Sequence, residues 1–314
     1  MDRWFLGVDG GQSSTTALIG DERGRVAGHG RGGPCNHVET GEGRTKFIGA
    51  IRGCLEQACA EAGIDAEAVR FEACCLGFSG GPADKEAILR EMLRTEHLVA
   101  THDAAIALSG ALAGAPGIIT IAGTGSIAFG RNQAGKVARA GGWGYVFGDE
   151  GGGFDIARQA LRAALRSEEG WGEPTALTSR LLAATGAVDM NDLLHRFYTT
   201  EFPRPRIAAL AALVEEAAHA GDEVATRILH RAAEDLASIA NAVRRTLFGS
   251  AGTDVAYVGG VFRATQVLDR FRAVMERDGN RVQAPLYGPA AGALIEAYRA
   301  AGVDHRLSHV PEEK

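Results

Sequence analysis

One supersecondary plan occurs twice in this chain, and that repetition limits the fold more than any other feature. In the first copy Trp4-Phe5-Leu6-Gly7-Val8 reads as a buried strand, Asp9-Gly10-Gly11 as a tight turn, and Thr15 to Ile19 as the returning strand. Asp21-Glu22-Arg23-Gly24 then turns into a third antiparallel strand, Arg25 to Gly28. In the second copy Gly117 to Ile121 is the apolar strand, Gly123-Thr124-Gly125 the tight turn, and Ser126 to Phe129 the return; Asn132 to Gly135 turns into Lys136 to Arg139. The second turns also match, Gly24-Arg25-Val26-Ala27 against Gly135-Lys136-Val137-Ala138. Self-similarity of this kind predicts a duplicated core. Two hairpin-led α/β lobes are expected, with their glycine turns facing across a central cleft.

Helical spacing fills the rest. Helices are predicted over Gly43 to Ala62, Ala83 to Arg94 and Ala104 to Ala113, around strands Phe71 to Phe78 and Leu98 to Thr101. Ala157, Ala160, Leu161, Ala164 and Leu165 lie on one helical face, as do Ala225, Ile228, Leu229, Ala232, Leu236, Ile239, Ala240 and Val243. Asp254 to Val258 is a strand, and the last helix runs from Pro289 to Ala301. The expected division is residues 1–115 for a first lobe, 116–300 for a second with a helical insertion, and 301–314 for a charged, frayed tail. The last helix is able to pack back on the first lobe. A length of 314 residues with 46% hydrophobic content suits two domains.

Charge narrows the partners. The 39 acids and 33 bases give −6 with no long run of either sign, so no basic stripe offers itself to nucleic acid or anionic lipid. A small-molecule ligand is favoured, and a homodimer is among the assemblies allowed. The apolar run after Trp4 is too short for a signal-peptide core or a membrane span, so the cytoplasm is the expected compartment. Five cysteines, Cys35, Cys54, Cys59, Cys74 and Cys75, show no metal-knuckle spacing and read as reduced, buried thiols.

Two turns are candidate phosphate cradles. Asp9-Gly10-Gly11-Gln12-Ser13-Ser14-Thr15 follows a strand with small residues whose backbone can approach a polyphosphate and whose hydroxyls can donate to it. Gly123-Thr124-Gly125-Ser126 has the same character, and a third glycine pair, Gly259-Gly260, follows a strand where it would lie under an adenine. Each alone also reads as a structural hairpin; the shared register is what favours a site. No G-x-x-x-x-G-K-[ST] occurs, which removes the Walker-type NTPases.

The order Asp9-Gly10-Gly11, Asn36-His37, Ser79-Gly80-Gly81, Asp103-Ala104, Gly123-Thr124-Gly125-Ser126, Gly141-Gly142-Trp143-Gly144, Gly148-Asp149-Glu150-Gly151 and Gly259-Gly260-Val261 resembles the BadF/BadG/BcrA/BcrD-type ATPase family, nearest its N-acetylglucosamine kinase branch. The likeness runs over residues 5–300. Gln12 stands where that family has a third glycine.

The resemblance implies a duplicated ribonuclease H-like fold of the actin/hexokinase type and an ATP- and Mg²⁺-dependent kinase acting on the 6-hydroxyl of N-acetylglucosamine or glucosamine. Asp103 would be the base that takes the hydroxyl proton, although at the start of a helix it also reads as an N-cap. Asp9 would hold Mg²⁺ through water. Gly10, Gly11, Ser13, Ser14, Gly123, Thr124, Gly125, Gly259 and Gly260 would bind nucleotide; Asn36, Asp103, Gly142, Trp143 and Asp149 would line the sugar pocket. Asp149 and Glu150 have no arginine nearby in sequence, which suits them to hydroxyl or amine donors. Three alternatives stay open: an ATPase activator of a redox partner, a kinase for another hexose, and a non-catalytic sugar sensor. A glucokinase or repressor of the ROK type would need a cysteine cluster and a Glu-x-Gly-His signature, both absent.

Overall fold

A computed structural model describes residues 3–35 and 41–312. The chain forms two compact units, one of residues 1–117 with 284–314 and one of residues 118–283.

In the first unit β1 (Trp4–Gly10), β2 (Thr15–Gly20) and β3 (Val26–Gly32) make an antiparallel meander. After α1 (Gly41–Ala62), β4 (Phe71–Phe78) pairs in parallel with β1. The short α2 (Glu86–Met92) leads to β5 (Thr95–His102), parallel to β4, and then to α3 (Asp103–Ala111). The sheet order is β3-β2-β1-β4-β5.

The backbone of β3 lies against α1. Gly28, Gly30 and Gly32 recur at the strand period, and a Cβ on any of them would overlap the carbonyl oxygen of Ala58, Cys54 or Ala50 in turn. Those helix residues are spaced by four and form one ridge of α1. Glycine weakens a strand in isolation, so the sequence reading ends β3 at Gly28; the close helix approach is what carries the strand on to Gly32. Packing also shortens α2 relative to Ala83 to Arg94, because Pro82 to Lys85 form a turn with Lys85 fully buried.

The second unit repeats the order. β6 (Gly117–Ala122), β7 (Ser126–Arg131) and β8 (Val137–Gly141) are followed by five helices, α4 (Gly153–Glu168), α5 (Leu177–Thr185), α6 (Met190–Phe197), α7 (Arg204–Ala209) and α8 (Ala211–His219). The long α9 (Glu223–Phe248), β9 (Asp254–Val258), α10 (Thr265–Arg277) and β10 (Arg281–Gln283) complete it. The sheet order is β10-β9-β6-β7-β8, with β6, β9 and β10 parallel. Position by position, β6 answers to β1, β7 to β2, β8 to β3, β9 to β4 and β10 to β5. The duplicated α/β fold expected from the two hairpins is present, and α4 to α8 are the addition to the second copy.

The second unit closes at Gln283. The last helix, α11 (Pro289–Ala300), joins α3 on the face of the first sheet opposite α1, where Phe5, Leu18, Cys75, Ile106, Leu294 and Tyr298 form one core. Gly7 sits flush under the backbone of Leu294, where any Cβ would overlap it. The tail is not frayed as expected. Val26 N–H donates to Ser308 O (3.0 Å), Ser308 N–H donates to Gly24 O (3.0 Å), and Leu307 is buried. Among the described residues no helix is long and apolar enough to cross a membrane.

Candidate active site

In open α/β sheets, ligands gather at the carboxyl ends of parallel strands, because strand-end loops and helix N-termini converge there. The first unit has a set of polar groups at that edge. The register aligns Gly10 of β1, Phe78 of β4 and His102 of β5, so Asp9, Ser79 and Asp103 fall on neighbouring strand ends. Ser79 Oγ donates to Asp103 Oδ2 (2.7 Å), and the Ala104 N–H donates to Oδ1 (2.8 Å).

This geometry bears on whether Asp103 is a helix cap. The N-cap of α3 is His102, which makes no side-chain capping bond, and the Asp103 carboxylate turns to Ser79 and its own neighbour instead of the third N–H of the helix. Asp9 and Asp103 are both half-buried. The turn after Asp9 is closed by Gly11 N–H donating to Ser14 O (2.9 Å), and Cys35 N–H donates to Gly11 O (2.9 Å). Gln12, Ser13 and Ser14 are exposed, with their side chains open to solvent. Asn36 and His37 lie outside the described residues.

The second unit builds its edge from backbone. Gly153 N–H donates to Gly123 O (2.8 Å) and Phe154 N–H to Thr124 O (3.0 Å), tying the β6–β7 turn to the start of α4. Gly259, at φ 116°, packs on the carbonyl of Ala122, where a side chain would overlap it. Beside these turns is a cavity of about 510 Å³, lined by Gly123, Thr124, Gly153, Gly260 and the small residues Ala208 and Ala264.

The β8–α4 loop departs from expectation. Asp149 is buried, sits at φ 64°, and its carboxylate presses on Gly125. It is not unsupported by arginine: Arg204, 55 residues on, is ion-paired with it through Nη2. The Arg204 guanidinium lies 5.0 Å from the Tyr145 ring and 5.8 Å from the Phe154 ring. Further along, Asp155 accepts from Gly151 N–H (3.1 Å) and from Arg158 Nη2 (2.6 Å), fixing the glycine run to α4. Gly142 N–H donates to Ser126 O (2.9 Å). Trp143 is 65% exposed with Arg139 stacked 4.7 Å above it, so it is not a packing residue of this unit.

The duplicated five-stranded fold carries glycine turns at the strand ends of both copies, and residues 6–297 match the BadF/BadG/BcrA/BcrD ATPase family. The chain belongs to that family. It is 34% identical over 239 residues (74% of this chain, 77% of the relative) to an N-acetylmuramic acid/N-acetylglucosamine kinase of Clostridium acetobutylicum. It is 32% identical over 259 residues (77% of this chain, 80% of the relative) to an N-acetyl-D-glucosamine kinase of Dictyostelium discoideum. Among solved structures, a Chromobacterium violaceum protein described as an N-acetylglucosamine kinase superposes with a TM-score of 0.74 at 28% identity, covering 93% of this chain and 98% of that one. A Streptomyces griseus ROK glucokinase shares the fold at TM-score 0.54 and 19% identity, covering 95% of this chain and 99% of that one.

Within this BadF/BadG/BcrA/BcrD-family chain, two positioning residues had no sequence signal. Arg204 lies in an ordinary Pro-Arg-Pro segment far from Asp149. Lys85 reads as a surface residue, yet it is fully buried, donating to Asp84 Oδ1 (2.7 Å) and Gly81 O (3.2 Å) beneath the Ser79–Gly81 loop. A buried ammonium is costly unless it is paired, so the loop geometry depends on these bonds. All five cysteines are buried, and burial pushes the Cys54 and Cys74 thiols up to about 12. Such thiols are poor metal ligands at neutral pH.

Proposed function

We propose that this chain is a kinase that transfers the γ-phosphoryl group of ATP to the 6-hydroxyl of an amino sugar, N-acetylglucosamine or glucosamine. The observation that carries the reading is the Asp103 carboxylate, aimed at Ser79 on the carboxyl edge of the first sheet instead of capping its helix. The two kinase relatives above support the substrate class.

Phosphoryl transfer asks little covalent chemistry of a protein beyond a base, positioning and charge neutralisation. Asp103 accepts the proton of the attacking hydroxyl as its oxygen bonds to the γ-phosphorus, the bond to the bridging oxygen breaks, and ADP leaves. Ser79 holds Oδ2, which fixes the carboxylate plane for that transfer. The donors at this edge, Asp9, Ser79 and Asp103, are hard oxygens of the kind magnesium takes, and Asp9 would hold the ion through water. Bound there, magnesium neutralises phosphate charge. The Gly10-Gly11 and Gly123-Thr124-Gly125 turns, with Ser13 and Ser14, take the phosphates, and the cavity beside Gly260 has the size and small apolar walls for a nucleoside. Asn36, Gly142, Trp143 and Asp149 contact the sugar. The buried, weakly acidic cysteines disfavour the redox-activator alternative.

Sugar-dependent ADP release decides the matter, measured with glucose, mannose, glucosamine, N-acetylglucosamine and N-acetylmuramic acid. The amino sugars should give the highest kcat/KM. Glucose ranking first would overturn the substrate assignment, and no stimulation by any sugar would overturn the kinase.

A further inference from the structure

Away from the turns, α4 and α9 flank a second polar cavity of about 410 Å³ in the second unit. Its wall holds five arginines and three acids. Arg158, Arg162 and Arg166 follow one another at i, i+4, i+8 on α4, and Arg227 and Arg231 at i, i+4 on α9, so two arginine ladders line one groove. Three of the five are occupied. Arg158 pairs with Asp155 (2.6 Å), Arg231 with Asp235 (3.1 Å), and Arg227 with Glu173 (2.6 Å) outside the groove. Among the described residues, Arg162 and Arg166 have no carboxylate partner; Arg166 stacks 4.9 Å over the Trp171 ring. Arg158 Nε is buried with no hydrogen-bond partner among the described residues.

A groove that gathers like charges on two long helices and leaves some of them unneutralised costs stability unless an anion balances it. Guanidinium groups in such a fork match phosphate oxygens two at a time. We propose that this groove is a binding site for a phosphorylated small molecule of about sugar-phosphate size, separate from the nucleotide turns. Occupancy reaches the β8–α4 loop through shared groups. Arg158 bonds both Asp155 (2.6 Å) and the Tyr145 carbonyl (3.3 Å), and Asp155 holds Gly151 N–H (3.1 Å), two residues beyond Asp149. An anion that draws Arg158 away from Asp155 loosens that loop, so the ligand changes KM for the sugar while kcat stays as it was.

The test is calorimetric titration of the whole chain saturated with magnesium and a non-hydrolysable ATP analogue, so that the phosphate turns are filled. The probes are inorganic phosphate, glucosamine 6-phosphate and AMP, which separate a bare anion, a sugar ester and a nucleotide as the source. Binding of at least one probe should weaken at least about tenfold in the Arg162→Glu/Arg166→Glu double variant, the equivalent of about 1.4 kcal/mol. Arg227→Gln gives a second reading on the other helix should the double variant fold poorly. The same probe should shift sugar KM in the wild type and not in the double variant, with kcat of the two proteins equal in its absence. Equal binding by wild type and both variants, or no binding of any probe at millimolar concentration, overturns the site. Either result is independent of which sugar the enzyme phosphorylates.

Discussion

At the carboxyl edge of the first sheet, the strand ends carry Asp9, Ser79 and Asp103; at the same edge of the second sheet, β6 and β9 run out into Gly123 and Gly259, with no acid at either strand end. The frame is the same and the chemistry differs. One copy keeps two carboxylates and a hydroxyl, groups able to accept a proton or hold a cation. The other keeps bare backbone at its turns and a cavity walled mostly by glycine and alanine, with Glu215 and Arg263 also in its lining, suited to lie against a ligand. Duplication followed by division of labour accounts for both, and each half of that division can be tested separately.

The largest effect is expected at Asp103. Asp103→Asn preserves shape and the Ala104 N–H bond but removes the base, so kcat should fall about 10²–10⁴-fold with a smaller change in KM. Steady-state kinetics with N-acetylglucosamine reads it. A variant close to wild-type turnover would remove the catalytic asymmetry between the two edges. Ser79→Ala should cost less, since it frees the carboxylate without deleting it.

Next come the glycines that let backbone meet backbone. Gly259→Ala meets the Ala122 carbonyl and also needs φ 116°, so strain and overpacking, each about 1–3 kcal/mol, both apply. Gly7→Ala in the first unit faces overpacking alone, against Leu294, and should lose less. Urea unfolding of both variants checks the order. If Gly7→Ala proves the worse, the first unit is the more tightly constrained of the two.

Asp149 tests what the second unit adds to substrate binding. Asp149→Ala should raise KM for the amino sugar about ten- to a hundredfold, as expected for a lost hydrogen bond to a charged group, while KM for ATP changes much less. The same change strands Arg204, so a melting curve is needed alongside the kinetics. Unchanged amino-sugar kinetics would leave Asp149 as a strut for Arg204 only.

Much of the frame was legible because it depends on local rules. Hairpin periodicity and turn glycines located β1, β2, β6 and β7 and their common register, and the match of Gly24-Arg25 with Gly135-Lys136 exposed the duplication. What stayed hidden depended on distant partners. β3 looked too glycine-rich to continue, since the ridge of Ala50, Cys54 and Ala58 that demands those glycines lies a helix away. Tail residues 301–314 looked free because their anchors, Gly24 and Val26, are at the other end of the chain. The pairing of Asp149 with Arg204 joins two loops with no periodicity to link them, and Lys85 gives no sign in sequence that it is buried. Asp103 sits between these cases. Sequence alone put an aspartate at a helix start and left cap or base undecided; the position of Ser79 is what speaks against the cap.

Asp222 supplies the control for that distinction, since it is the capping aspartate that Asp103 is not. It precedes α9, and its carboxylate accepts from Ala225 N–H (2.9 Å), Ala176 N–H (2.6 Å) and Thr175 Oγ1 (2.7 Å). Burial acts to raise its pKa, but the bonds from Ala225, Thr175 and Ala176 outweigh it, and the net shift is downward. A carboxyl whose pKa is depressed on folding adds stability that is complete above its unfolded value, about 3.9, and is lost as pH falls through the folded value. Asp222→Ala should therefore destabilise the protein by about 1–2 kcal/mol at neutral pH, the usual cost of a lost N-cap, with kcat/KM unchanged at a temperature where both proteins are folded. Between wild type and variant the difference in urea midpoint should shrink as the pH is lowered below about 4. Asp103→Asn should behave oppositely, with a large kinetic defect and little change in midpoint. If instead the two substitutions gave the same pattern, a loss of stability with activity retained, both aspartates would be caps and the catalytic edge of the first unit would have to be sought at Asp9.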